Sequence, residues 1–369
     1  MRISHIVENL NRGGLERVVI DLAHAQVAAG HDCQVVCLFE AGALAQELTS
    51  SGIEVIACEK RDGADLRAVL RMRRALAAQR TEVLHSHNGI SHYYAMVAAL
   101  GLGIRRVVNT RHGMGDVNPS SRREWLFRQS MRLTDVSVAV SEAAGRRLSE
   151  TGVIPERKLR VVPNGIHVTP FHERNAIARA LLAASLGLPA DTRLVGFVGR
   201  LNWAKNLETM VAAFARLRVG RDDVALVMVG EGGDRGLIES TIEREGVADR
   251  VFLLGDRSDV PELLPAFSVF AMSSISEGYS IALLEACASA LPIVATRVGG
   301  NGEIVSDGVN GLTVPARDPE ALAAALASVI DDPARAEAMG QAGRDWLLAN
   351  ATFQVMAARY LDVYAGGRA

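Results

Sequence analysis

Short apolar runs alternate with stretches of helical spacing along the whole chain. Ile3–Val7, Cys33–Phe39, Glu54–Ala57, Val83–His85, Arg106–Thr110 and Val136–Val140 have the length and composition of buried strands. Between them, Leu15–Ala29, Leu44–Ser50, Leu66–Gln79, Ser91–Leu100, Arg122–Arg132 and Glu142–Glu150 read as helices. Val18, Val19, Leu22, Ala25 and Gln26 make a mostly apolar face on the first of these helices. Turn punctuation at Pro163-Asn164-Gly165 closes this half, and residues 167–190 read as a connector, polar and then rich in Ala and Leu. The alternation then restarts. Strands are expected at Leu194–Val198, Ala225–Val229, Val251–Leu254, Val269–Met272, Ile293–Ala295 and Gly311–Val314. Helices are expected at Leu207–Leu217, Gly236–Glu245, Ile281–Ser289, Pro319–Ile330, Arg335–Asn350 and Phe353–Tyr364.

Alternating strands and helices imply parallel sheets covered on both faces. The fold class is therefore α/β, with two Rossmann-like domains facing a central cleft. Ligands of such sheets sit at the carboxyl ends of the strands. A length of 369 residues agrees with two domains. The longest nearly apolar stretch, Tyr93–Ile104, is far short of the roughly 18 residues that a spanning helix needs. The first residues lack a signal-peptide layout, so a cytoplasmic protein is expected.

Charge changes the picture more than composition does. The net charge of −2 averages two unlike halves: residues 1–170 carry 22 Lys+Arg against 17 Asp+Glu, and residues 171–369 carry 18 against 25. Lys60, Lys158 and Lys205 are the only lysines among 40 basic residues, which marks each for attention. Cys33, Cys37, Cys58 and Cys287 form no metal-ligand or redox spacing and read as reduced core residues.

Two segments carry candidate chemistry. In Ser276-Glu277-Gly278-Tyr279-Ser280-Ile281, continuing to Glu285, two carboxylates bracket the start of a helix. Gly278, Tyr279, Ser280 and Ile281 supply backbone N–H groups at its positive end, an anion seat, and Glu285 can accept two vicinal hydroxyls. A retaining hydrolase pair is a rival, but it needs carboxyls about 5 Å apart, whereas eight helical residues rise about 12 Å. The second segment, Gly199-Arg200-Leu201-Asn202-Trp203-Ala204-Lys205, follows a strand. Its guanidinium fork and point charge suit a diphosphate.

With these segments in place, the chain resembles the GT-B glycosyltransferases, and among them the family 4 retaining enzymes. Four landmarks occur in the family's order: Gly13-Gly14-Leu15-Glu16-Arg17, the Gly-Arg-(x4)-Lys loop at 199–205, Glu277 with Glu285, and Ala295–Glu303 with Gly299 and Gly300. The resemblance implies that Arg200 and Lys205 bind the nucleotide diphosphate and that Glu285 holds the ribose. It implies that Glu277 binds the transferred sugar, and that Gly278–Ile281 contact sugar or phosphate. Gly13 and Gly14 would let the backbone approach the donor. Gly230 would line the nucleotide pocket. His112, in Asn109-Thr110-Arg111-His112-Gly113, would lie close to the transferred sugar, and His87 would contact the acceptor. His85, His87 and His92 raise the question of a metal site, but no acidic partner or further ligand sits near them in sequence, and no Asp-x-Asp occurs anywhere. No metal and no cofactor are expected, the nucleotide sugar being a co-substrate.

The resulting expectation is a metal-independent retaining glycosyltransferase, moving a sugar from a nucleotide-diphosphate sugar, commonly UDP-linked, to a saccharide or lipid-linked acceptor. Cell-surface polysaccharide or glycolipid synthesis is its expected setting. A nucleotide-sugar epimerase and a non-catalytic nucleotide-sugar-binding subunit are the alternatives. The domains would span 1–168, with 352–369 packing back on it as the family's last helix does, and 169–351. The basic stretches around Leu66, Leu70 and Leu76 and around Trp125, Leu126 and Phe127 read as solvated helix faces or as docking surfaces for the anionic inner face of the cytoplasmic membrane. No nucleic-acid partner is expected. Sugar, base and acceptor stay open.

Overall fold

The computed structural model describes residues 1–11, 13–112 and 122–366. The chain folds into two compact units. One comprises Met1–Gly165 together with the segment from Phe353 onward, and the other Ile166–Thr352.

The first unit is built on a parallel sheet of β1 (Arg2–Val7), β2 (Asp32–Cys37), β3 (Glu54–Ala57), β4 (Val83–His87), β5 (Arg106–Arg111), β6 (Val136–Ala139) and β7 (Leu159–Val161). Their spatial order is β3-β2-β1-β4-β5-β6-β7. The chain works outward from β1 in one direction and then starts again at β4 in the other. The switch therefore falls between β1 and β4, where His5 lies beside His85 in register. The helix Phe353–Ala365 belongs to this unit: Tyr360 and Tyr364 are buried in it, and the Arg106 guanidinium donates to the Val363 carbonyl at 3.1 Å.

The second unit holds β8 (Arg193–Val198), β9 (Val224–Val229), β10 (Val251–Leu253), β11 (Val269–Met272), β12 (Ile293–Thr296) and β13 (Gly311–Val314). The order is β10-β9-β8-β11-β12-β13, all parallel, with the switch between β8 and β11. β9 is buried along its whole length because helices cover both faces. Phe197, Leu207, Phe214, Leu226, Met228, Leu322 and Leu326 belong to one continuous core there.

Side-chain caps set several helix starts. Asp65 accepts from the N–H groups of Arg67 and Ala68. Asp318 and Asp332 precede Pro319 and Pro333 and accept from Ala321 and Arg335.

Two local expectations are corrected. Residues 167–190 are not only a connector: Asn175 caps a helix over Ala176–Ser185. That helix buries only Ala183 and leaves Ile177 and Leu181 exposed. The helix expected over Arg122–Arg132 stops at Ser130 and tightens into a 3₁₀ turn at Met131–Leu133. The Lys158 ammonium donates to the carbonyls of Met131 and Thr134, both at 2.6 Å, and ties that turn down. Lys60 sits over the rings of Phe39 and Tyr94. All four cysteines are free and buried. Among the described residues, no helix is long and apolar enough to cross a membrane.

Candidate active site

In the second unit the expected residues collect at the carboxyl ends of the central strands. Gly199 and Arg200 follow β8, Gly230 follows β9, and Ser273–Ile281 follow β11. These loops lie at the topological switch, where no crossover helix covers the strand ends. Arg200 is exposed, with no ion-pair partner among the described residues. Lys205 behaves otherwise. Its ammonium is paired with the Glu277 carboxylate, and both side chains are largely shielded, at 15% and 11% exposure. The Ser274 hydroxyl donates to the same Glu277 oxygen at 2.6 Å. The sequence treats Lys205 and Glu277 as separate contacts. The fold makes them one charge-neutral unit.

Backbone contacts hold this unit. The Ile275 N–H donates to the Ala204 carbonyl at 2.8 Å, and the Ser273 hydroxyl to the carbonyls of Lys205 and Asn206. Gly299 braces the loop from below. It has φ +51°, and a Cβ there would lie 1.7 Å from the Glu277 carbonyl oxygen. Gly230 likewise has φ +136°, with a Cβ position 2.0 Å from the Gly199 carbonyl oxygen. Both positions therefore demand glycine. Tyr279 and Ser280 are buried, and Ser280 precedes the helix Ile281–Ala288. The N–H groups of its first turn have no partner within the helix.

Glu285 lies in that helix. Burial pushes its carboxyl up to about 7. No cation or hydrogen-bond donor balances it among the described residues. A carboxylate held this way lacks the donors that a set of sugar hydroxyls supplies.

In the first unit, Gly13 and Gly14 stand beyond β1 at the start of the helix Gly14–Ala28, where Gly13 is extended. His112 lies just past β5, while Gly113 falls outside the described residues. His87 is not at the surface. It is buried, and both its ring nitrogens are used: Nε2 meets His5 Nδ1 at 3.1 Å, and Nδ1 meets His112 Nε2 at 3.0 Å. Contrary to the sequence expectation, His85 and His87 do have a third histidine nearby. His5, His85 and His87 place ring nitrogens within 4.8 Å of one another, a spacing that suits a metal ion. His5 and His87 hydrogen-bond to each other, and His85 uses both nitrogens, on Tyr364 and Thr110. His92 stands apart, between Ser86 and Thr134. Burial lowers every one of these imidazoles, His5 to about 4 and His92 and His112 to about 3, so all are neutral near pH 7.

Near the carboxyl ends of β1, β4 and β5 lies a cavity of about 170 Å³ lined by Glu8, Gly89, Tyr93, Arg111, Arg123 and Phe127, among others. Burial raises the Glu8 carboxyl, against the pull of Arg123. Arg111 pairs with buried Glu124 at 3.6 Å and stacks on Phe127. Larger cavities, of about 290 and 400 Å³, lie in the second unit by Arg193 and Ser268, at the amino ends of β8 and β11.

Sequence reading missed Glu8, the Arg111–Glu124 pair, Ser274 and the buried partners of the histidines. One signal was available. His5 interrupts an apolar strand, and Gln26 lies on an apolar helix face. A polar residue in such a place needs a buried partner.

Known proteins give the class. Residues 178–346 match the family described as Glycosyl transferases group 1, and residues 12–169 match Glycosyltransferase Family 4. The alpha-maltose-1-phosphate synthase of Mycolicibacterium smegmatis is 30% identical over 312 residues, covering 78% of this chain and 79% of the relative. The D-inositol 3-phosphate glycosyltransferase of Segniliparus rotundus is 31% identical over 282 residues, covering 72% of this chain and 62% of the relative. Anabaena Alr3699/HepE, solved in complex with UDP, superposes with a TM-score of 0.86 at 20% identity, over 99% of this chain and 100% of that one. The chain belongs to the family 4 and group 1 glycosyltransferases and has their two-domain GT-B fold.

Proposed function

We propose that this glycosyltransferase moves a sugar from a UDP-sugar to a saccharide or lipid-linked acceptor with retention at the anomeric carbon and without a divalent metal. The observation that carries this reading is the shielded Lys205–Glu277 pair at the switch between β8 and β11, with Arg200 exposed beside it. A diphosphate arriving there meets Arg200 as a planar fork, and as Glu277 turns to the sugar hydroxyls the Lys205 ammonium is released to it as a point charge; together they neutralise the negative charge that grows on the leaving group. Glu277 accepts hydrogen bonds from hydroxyls of the transferred sugar, and Glu285 from the ribose. Gly278–Ile281 present backbone N–H groups to sugar or phosphate. These cations occupy the electrostatic role that a bound divalent ion fills elsewhere.

The acceptor hydroxyl oxygen attacks the anomeric carbon from the face the diphosphate is leaving. The carbon–oxygen bond to phosphate breaks, and the hydroxyl proton passes to the departing phosphate oxygen. No side chain is assigned as a covalent nucleophile. The first unit reads the acceptor, with the cavity beside Glu8 and Arg123 as its polar contact, and His112 meets a hydroxyl of the transferred sugar. Exposed Leu66, Leu70 and Trp125, set among exposed arginines, suit docking on an anionic membrane face where a lipid-linked acceptor resides. UDP is preferred because HepE is solved with UDP and with UDP-glucose.

The test is a melting series with UDP-, GDP- and ADP-sugars on the wild type and on Arg200→Ala, with the anomer of any product read by NMR. A UDP-sugar at 100 times its Kd is expected to stabilise the wild type by about 2.7 kcal/mol, and the variant far less. No shift with any nucleotide sugar, or an inverted product, would overturn the reading.

A further inference from the structure

The buried histidines form a directed chain. The Gln26 side-chain oxygen lies 2.8 Å from His5 Nε2, and the Cys33 thiol donates to the same oxygen. The Gln26 amide nitrogen in turn donates to the Tyr364 hydroxyl at 3.2 Å. This orientation makes His5 Nε2 the protonated nitrogen, since an amide oxygen only accepts. In a neutral ring the other nitrogen, Nδ1, must then accept, so His87 donates to it through Nε2. By the same rule His87 Nδ1 accepts from His112 Nε2. The last ring is left with an unprotonated Nδ1. That atom is buried and has no hydrogen-bond partner among the described residues. A second branch points the same way: the Tyr364 hydroxyl donates to His85 Nδ1 at 2.6 Å, and His85 Nε2 donates to Thr110 at 2.7 Å.

His112 is also clamped through its backbone. Its N–H donates to the Asn88 side-chain oxygen at 3.3 Å, and Asn88 holds a left-handed φ of +66°. Asn109 and Thr110 fix Asn88 in turn, through the Asn88 carbonyl and N–H. Ring and backbone are thus both tied to the ends of β4 and β5.

We propose that Gln26, His5 and His87 are positioning residues that lock His112 in its neutral Nε2–H tautomer, so that Nδ1 stands as a fixed acceptor for a substrate hydroxyl. Without the chain, His112 would exchange tautomers, and one of the two would present a donor where an acceptor is needed. The inference rests on the reading of His112 as a substrate contact only for its kinetic consequence. The tautomer itself is a property of the protein alone. The chain ends at Gln26, which cannot take up a proton, so it fixes direction rather than draining protons away. Three histidines within reach of a metal ion would serve this end only while they remain metal-free.

The experiment is ¹⁵N NMR of histidine-labelled full-length protein near pH 7, with rings assigned by single His→Gln variants, beside steady-state kinetics with a UDP-sugar. Expected are neutral Nε2–H signals for His5, His87 and His112. Gln26→Leu should give His112 a mixture of tautomers and lower kcat/KM about fivefold, the worth of one ordinary hydrogen bond. Gln26→Glu keeps an acceptor in place and should restore the Nε2–H signal. An Nδ1–H signal for His112 in the wild type would overturn the proposal, whether or not any variant folds. So would loss of the three signals on adding one equivalent of Zn²⁺. An unchanged His112 tautomer and unchanged kcat/KM in Gln26→Leu would overturn it as well. If the wild type shows the expected tautomers but transfers no sugar, it is the functional reading that fails.

Discussion

Replacing Glu285 by Gln should make the protein more stable and less able to hold its donor. In the folded chain burial raises this carboxyl from an ordinary 4.5 to about 7. The folded state therefore holds its proton more tightly than the unfolded chain does. The stability associated with this group is fully present below pH 4.5, falls as the pH rises towards 7, and stays lost above it. Each tenfold difference in proton affinity between the folded and unfolded chain is worth about 1.36 kcal/mol, so the ionised group costs about 3 kcal/mol at pH 8 and about 1 kcal/mol at pH 5. Glutamine has the same shape and no proton to lose, so Glu285→Gln should recover both amounts. At about 2–4 °C per kcal/mol for a unit of this size, the melting advantage grows from a few degrees at pH 5 to about 6–12 °C at pH 8. Melting curves of both proteins from pH 5 to 8, with and without UDP, measure this directly. The variant should also lose most of the stabilisation that UDP gives the wild type, because an amide accepts hydroxyls less strongly than a carboxylate does. A pH-independent gap, or a variant less stable than the wild type at pH 8, would refute the assignment of a desolvated carboxylate with no balancing partner.

Four further outcomes are expected. Gly299→Ala forces a Cβ onto the Glu277 carbonyl at a positive φ; it should abolish the UDP-induced rise in Tm while far-UV circular dichroism stays native. Lys158→Ala removes charged donors from two carbonyls at 2.6 Å and should destabilise by about 2 kcal/mol in urea; Lys158→Arg should not restore this, because a planar fork cannot replace the point charge between them. Excess chelator should leave transfer activity unchanged; abolition would count against metal independence. Sedimentation with vesicles should increase with anionic lipid and fall with salt; binding to neutral vesicles alone would sink the docking surface.

The sheets were legible because parallel strands buried on both faces leave near-continuous apolar runs, as β9 does from Val224 to Val229. The loops after β8 and β11 were legible because glycines, paired carboxylates and a rare lysine mark them. What the sequence hid is pairing. Nothing in a linear reading shows that Lys205 and Glu277 neutralise each other, because they are 72 residues apart and meet only when β8 and β11 lie side by side. The helix Ala176–Ser185 was missed for a different reason: its start is set by the Asn175 cap inside a polar stretch, and its Ala- and Leu-rich body reads with that stretch as a connector.

The polar residues inside apolar elements follow a single logic. His5 in β1, His85 and His87 in β4, and Gln26 in the first helix would each lower stability if left without a partner, because an unsatisfied buried polar group costs about 1–3 kcal/mol. Here they satisfy one another, together with Tyr360, Tyr364 and Thr110. The tyrosines come from the helix Phe353–Ala365, the far end of the chain. Return of that helix to the first unit is therefore more than packing: without it His85 and Gln26 lose their hydroxyl partner, and the tautomer of His85 is no longer fixed. Removing the Tyr364 hydroxyl with Tyr364→Phe keeps the ring and its burial. If the chain is directed as described, this change should disturb the tautomers of His85 first and leave His112, which is set through His5, as it was.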